Sequence, residues 1–141
     1  MNSTDIAVWA KQSGFSSILL EGALHTTIAF SRKEIDWDII GRLTDTVIVP
    51  ISPRRSVEQL GDKGAIVLRF ESLELSWRWQ QVCDLGGSWD YPGYKPHITI
   101  TYKGVADIKW IIPYTGELIF GPEILNEVVE DWDKTIEERA L

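Results

Sequence analysis

The sequence predicts an α+β domain built on antiparallel sheets. Three observations carry that prediction: short runs rich in β-formers recur along the chain, two or three helical segments separate them, and Gly- or Pro-containing turns bound many of the runs. No low-complexity stretch or linker divides the sequence, so residues 1–141 read as one domain.

Taken in order, Ser3-Thr4-Asp5 reads as a helix N-cap, followed by a short amphipathic helix to about Ser13 that Gly14 closes. Leu24 to Ser31 alternates and is rich in β-formers, which predicts a strand. Asp36 caps a short helix reaching about Leu43, and Thr46 to Ile51 reads as a second strand stopped by Pro53. Gly61-Asp62-Lys63-Gly64 is a turn leading into Ala65 to Phe70, an apolar run of buried-strand type. Glu74 to about Leu85 suits a helix that turns Leu75, Trp79 and Val82 inward. Gly86 to Pro96 is a loop crowded with Gly, Pro and aromatic residues. Pro96 to Tyr102 and Gly116 to Phe120 are further strands. Ile124 to Trp132 fits either a strand or a helix, and the charged tail from Asp133 reads as frayed or helical.

Composition limits the partners. With 44% hydrophobic and 25% charged residues the chain is of ordinary globular type. Its net charge is −7, and its densest basic feature is Arg54-Arg55. Long nucleic acids are held through many Lys and Arg contacts to phosphates, so a duplex or long RNA is a poor substrate here. A locally positive cleft could still hold a small anion. No run of about 18 apolar residues predicts a membrane helix, and Met1 to Phe15 lacks the apolar core of a signal peptide. Cys83 stands alone, which favours a reducing cytoplasm.

Two segments match each other. Leu24-His25-Thr26-Thr27-Ile28-Ala29-Phe30 and Pro96-His97-Ile98-Thr99-Ile100-Thr101-Tyr102 share the pattern His-x-Thr-x-x-aromatic, half a chain apart, and use both histidines of the protein. On a strand, residues i and i+2 project to one face, so His25 goes with Thr27 and His97 with Thr99. An approximate two-fold between the halves would bring all four into one cleft.

That set suits acid–base cleavage of a phosphodiester. One neutral imidazole takes the proton of an attacking hydroxyl and one imidazolium protonates the leaving oxygen, a task matched to histidine chemistry. Threonine hydroxyls can donate to non-bridging phosphate oxygens as charge builds on them. No metal or other cofactor is expected, since two histidines without Cys or carboxylate partners make a weak zinc signature.

The duplicated pattern resembles the 2H phosphoesterase superfamily. Further segments are similar to its phage branch that includes anti-CBASS phosphodiesterases: Phe30-Ser31-Arg32 with Asp36-Trp37, Gly87-Ser88-Trp89-Asp90-Tyr91-Pro92, Tyr94-Lys95-Pro96 before the second motif, and Pro113 to Glu123. The likeness runs from about Leu24 to Trp132. It implies a bilobal, pseudo-two-fold fold whose two antiparallel sheets line a central cleft, with helices outside. It also implies degradation of the cyclic di- and trinucleotides that bacterial CBASS defences use as alarm signals. Catalytic roles would fall on His25, Thr27, His97 and Thr99.

Five residues are candidates for substrate binding. Trp89 and Tyr94, with Tyr91, could stack on a base or pack their loop onto the sheet. Glu127 and Trp132 could read a base edge and cover its face. Lys95 and Lys103 flank the second motif, and Cys83 reads as a small core filler. Two rival functions stand beside the first: a 2′,3′-cyclic phosphodiesterase acting on RNA or tRNA ends, of the 2′–5′ RNA ligase-like type, and a non-catalytic sponge that sequesters a cyclic nucleotide. The acidic composition weighs against the RNA substrate, and a sponge has no need of both histidines.

Overall fold

A computed structural model describes residues 2–15, 17–19, 21–31, 35–60, 64–89, 91, 93–102 and 108–124. Helix α1 spans Ser3–Gln12. Its buried residues Ile6, Ala7 and Ala10 form one apolar face. Ser3, expected at the cap, is instead the first helical residue; Asn2 takes the cap position, and its side chain does not cap the helix because it is engaged elsewhere. The Asn2 amide accepts from the Ile119 N–H at 2.9 Å and donates to the Glu117 carbonyl at 2.6 Å, which ties the helix start to the C-terminal strand. Gly14, at φ +95°, ends the helix as predicted.

Helix α2 is a single turn, Trp37–Ile40, shorter than the sequence suggests. Asp36 caps it by accepting from the Asp38 and Ile39 N–H groups at 3.0 and 3.3 Å, and Gly41 at φ +71° stops it. Helix α3 spans Leu73–Asp84, with Ser72 accepting from the Leu75 N–H. Leu75 and Val82 are buried as expected, while Trp79 is half-buried.

The buried cation on α3, Arg78, was not among the expected inward residues. Its guanidinium grips Glu123 through Nε and Nη2 at 2.9 and 2.8 Å and also donates to the Gly41 carbonyl. A buried charge is tolerated when it is paired and hydrogen-bonded in this way. The contact joins α3 to the chain after α2 and to the end of the last strand.

Two antiparallel sheets complete the α+β architecture. Strands β1 (Val47–Val49) and β5 (Leu118–Phe120) form one; β2 (Ser56–Leu60), β3 (Ala65–Arg69) and β4 (His97–Thr101) form the other in the order β2-β3-β4. Strand β2 was not predicted. Its Ser-Val-Glu-Gln-Leu composition is too polar to signal a strand, and antiparallel pairing along β3 recruits it; residues 61–63 of the predicted turn lie outside the described residues. Arg55, from the basic doublet noted above, is buried and donates to the carbonyls of Pro50, Tyr114 and Gly116, so it clasps backbone and is not available to a phosphate.

The core lies between these layers. Ile66, Leu68, Ile98 and Ile100 of the three-stranded sheet meet Ile6 and Ala10 of α1, Leu75 of α3, and Leu118 and Phe120 of β5. Each such aliphatic side chain contributes about 1.5–3 kcal/mol by leaving water. A β-bulge between β3 and β4 lies at Ile66/Val67, and beyond it Ile100, Thr101 and Tyr102 are all buried, against strict alternation.

The segment predicted as the first strand is a correction. Leu24 to Ser31 bends at Ile28 and, among the described residues, forms a single isolated antiparallel bridge, Thr26 to Ile98, along the outer edge of β4. Leu19 joins the same edge, its N–H donating to the Ile100 carbonyl at 2.9 Å. Side-chain contacts hold this segment where a full ladder would otherwise do so. The predicted elements beyond Ile124 lie outside the described residues.

Candidate active site

The single bridge at Thr26 and Ile98 fixes how the two motifs meet. In an antiparallel pair with these residues opposed, His25 lies across from Thr99 and Thr27 across from His97. Ile98 is fully buried on the core face, so His97 and Thr99 project from the other face, as do His25 and Thr27 on the neighbouring segment. All four side chains named from the sequence therefore share one side of the sheet. Directly opposed residues place their Cβ atoms about 4.5–5.5 Å apart, and the His25–His97 diagonal spans about 7–8 Å.

This pairing has a local two-fold axis between Thr26 and Ile98. The axis maps His25 onto His97 and Thr27 onto Thr99. The ring contacts obey the same symmetry. His25 Nδ1 lies 2.8 Å from the Ala23 carbonyl, and His97 Nδ1 lies 2.8 Å from the Lys95 carbonyl, each partner two residues upstream. A carbonyl only accepts, so each Nδ1 carries hydrogen and donates it. No hydrogen bond of the described residues engages either Nε2, and neither Thr27 nor Thr99 uses its hydroxyl on another described residue.

Neighbouring contacts set this geometry. Thr26 donates its hydroxyl to the His97 carbonyl at 2.9 Å. Tyr94 donates its hydroxyl to the Thr27 carbonyl at 2.7 Å. Burial pushes the Tyr94 phenol far above its ordinary range, with the Thr26 hydroxyl opposing, so it stays a donor. Ser88 donates its N–H to the Ser31 hydroxyl at 3.0 Å, joining the loop before the second motif to the segment after the first.

The aromatic candidates form one cluster. Tyr94 stacks on Trp79 of α3 at 5.6 Å and 11°, and Trp89 meets Trp79, Tyr91 and Tyr94 edge-on at 6.0, 5.8 and 5.9 Å. Trp89 also donates its indole N–H to the Gly93 carbonyl. Packing of the loop onto α3 accounts for Trp89 and Tyr94, while Tyr91 is largely exposed. Glu127, Trp132 and Lys103 lie outside the described residues.

Two features escaped sequence reasoning. Thr26, the unspecified middle position of the first His-x-Thr, has no role in that pattern, yet its hydroxyl links the motifs. Arg69 is the one charged residue in the apolar run Ala65 to Phe70, a signal that was available, and the structure sets it directly opposite His97. Arg69 pairs with Glu58 at 3.1 Å. The Glu58 carboxyl is held below its ordinary range first by the Ser56 hydroxyl, with burial opposing, and further by Arg69 and Lys95. Burial raises the Cys83 thiol, as does Asp84, which suits a packing role. Among the described residues no group of three or more His, Cys, Asp or Glu side chains is placed to hold a metal ion. None of their helices is long and apolar enough to cross a membrane.

Fold and site together define an α+β protein with a paired His-x-Thr site across a local dyad. Residues 1–135 match the family described as Anti-CBASS protein Acb1. The chain is 42% identical over 143 residues to an Anti-CBASS protein Acb1 from Caulobacter sp. (strain RHG1), covering 98% of this chain and 23% of that protein. It is 40% identical over 144 residues to one from Sphingomonas paeninsulae, with 96% and 23% covered. A relative of the same name from Acinetobacter phage Ac42 is 33% identical over 111 residues, with 78% and 69% covered. The chain belongs to the Anti-CBASS protein Acb1 family. It spans about a quarter of the length of the two bacterial relatives.

Proposed function

We propose that this chain hydrolyses 3′–5′ linkages in cyclic di- and trinucleotide signals and thereby counters CBASS immunity, within a bilobal 2H phosphoesterase-type fold. The observation that carries the reading is the local dyad at Thr26 and Ile98, which turns two identically tethered imidazoles and two threonines to one face. Membership of a family whose name is anti-CBASS supports the biological setting.

The chemistry follows from the tethers. A carbonyl bound at Nδ1 accepts equally from a neutral or a protonated ring, so each imidazole keeps its orientation while Nε2 gains or loses a proton. One Nε2 removes the proton from a ribose 2′-hydroxyl, whose oxygen attacks the adjacent phosphorus in line. The other Nε2 gives its proton to the departing 5′-oxygen. A 2′,3′-cyclic phosphate results. Water then opens it with the two histidines in exchanged roles, leaving a 3′-phosphate and restoring both protonation states. The Thr27 and Thr99 hydroxyls donate to the non-bridging oxygens as they gain charge.

The test is an incubation in metal-free buffer with a panel of cyclic di- and trinucleotides and a 2′,3′-cyclic-phosphate RNA end, with products identified by mass spectrometry. Linear products ending in a 3′-phosphate are expected from the cyclic substrates. Cleavage of the RNA end alone would select the RNA-processing reading, and tight binding with every ring intact would select the sponge.

A further inference from the structure

We propose that Arg69 binds the non-bridging oxygens of the scissile phosphate beside His97, through the Nε and Nη2 edge of its guanidinium. The inference rests on the phosphodiesterase reading and adds to it a residue outside both motifs.

Arg69 ends β3. Its cross-strand partners are His97 on β4 and Ser56 on β2, so its side chain leaves the sheet on the face that carries the four motif residues. The guanidinium is anchored at one corner only. Nη1 donates to the Glu58 carboxylate at 3.1 and 3.4 Å, and no hydrogen bond of the described residues engages Nη2. Nε is shielded from solvent and has no hydrogen-bond partner among the described residues. Buried donors are almost always satisfied, and one left open beside a reacting centre points to a ligand.

Arg78 shows what that edge does when filled. Its Nε and Nη2 take the two oxygens of Glu123 at 2.9 and 2.8 Å, a side-on fork that matches two oxygens of a carboxylate or a phosphate. In Arg69 the same fork carries nothing. Its side chain is 31% exposed, and with Nη1 as pivot the fork can turn toward His97 while Glu58 keeps its hold. Charge agrees. In a chain of net charge −7, Arg69 and Lys95 gather beside His97, and Glu58 offsets one of the two.

Steady-state cleavage of 3′,3′-cyclic GMP–AMP by the wild type, Arg69→Gln, Arg69→Lys and Glu58→Gln, with a melting curve for each, tests the assignment. Loss of a charge-assisted contact to the phosphate should lower kcat/KM about tenfold or more in Arg69→Gln. Arg69→Lys, which keeps the charge and the Glu58 contact but loses the fork, should fall about fivefold. Glu58→Gln breaks the same ion pair yet keeps the guanidinium, and its loss should be the smallest. Equal losses in Arg69→Gln and Glu58→Gln would mean that the ion pair is only structural and would overturn the proposal. Wild-type rates in both Arg69 variants would do the same while leaving the phosphodiesterase reading intact. Should Arg69→Gln not fold, the Arg69→Lys rate decides the matter alone. A wild type that cuts no cyclic nucleotide defeats both ideas together.

Discussion

Thr26 donates its hydroxyl to the carbonyl of His97 at 2.9 Å, although its own backbone partner is the next residue, Ile98. The two histidine motifs are thus cross-linked at the point about which they are symmetric. An edge segment with one bridge has little ladder to hold its register, and a side-chain bond from the central residue supplies what the ladder lacks.

Replacing Thr26 by Val keeps the branched shape and removes that bond. The variant should lose about 1 kcal/mol of stability, the usual net worth of one intramolecular hydrogen bond. Turnover should fall more through kcat than through KM, because the distance between the motifs loosens while the substrate contacts stay. Urea unfolding and steady-state kinetics on the same preparation check both statements, and an unchanged kcat would remove Thr26 from the site.

His25→Ala and His97→Ala should each reduce turnover by about 10²–10⁴-fold, the range over which positioned acid–base groups act. Both histidines are at least partly exposed, so neither change opens a core cavity and melting temperatures should move little. Survival of full activity in either variant would separate the motifs from the chemistry.

The rate of the wild type should trace a bell against pH, because the reaction needs one neutral and one protonated imidazole at the same time. Excess EDTA should leave it unchanged, since no step assigned here passes through a metal. A flat profile from about pH 5 to 9, or collapse on chelation, would each point to other chemistry.

Tyr94 links stability to alkaline pH. Burial raises its phenol above the ordinary value of about 10, so the folded chain favours the protonated form. Below that ordinary value both states hold the proton and the contribution is complete. As pH climbs past it the unfolded chain ionises first and the contribution is lost. Urea midpoints measured at pH 9 and 11 should drop more for the wild type than for Tyr94→Phe, and the phenolate absorbance of Tyr94 should appear late or only on unfolding.

Arg78→Ala should be far more damaging than any surface change. It strands the largely buried carboxylate of Glu123 and empties a contact that joins three parts of the chain, at a cost of about 3–5 kcal/mol. Chemical denaturation reads this directly, and a loss under about 1 kcal/mol would show that the pair is open to water.

Local chemistry made much of this protein readable from its residues. Asp36 and Gly14 announce helix ends, Ala65 to Phe70 announces a buried strand, and the twin His-x-Thr pattern names the four side chains that share the site face, because helix caps, apolar periodicity and two-residue alternation act over a few neighbours. What depends on distant partners was not readable. Polar Ser56–Leu60 becomes a strand only because β3 offers it a ladder, and Leu24–Ser31 stays outside the ladder, held to β4 and its approach by the Thr26–Ile98 bridge and by side-chain bonds at Thr26, Thr27 and Ser31. Arg78 is buried only because Glu123 comes back to meet it. The dyad at Thr26 and Ile98, and Arg69 beside His97, arise where segments far apart in the chain pack together, and no local pattern of residues specifies which of them will touch.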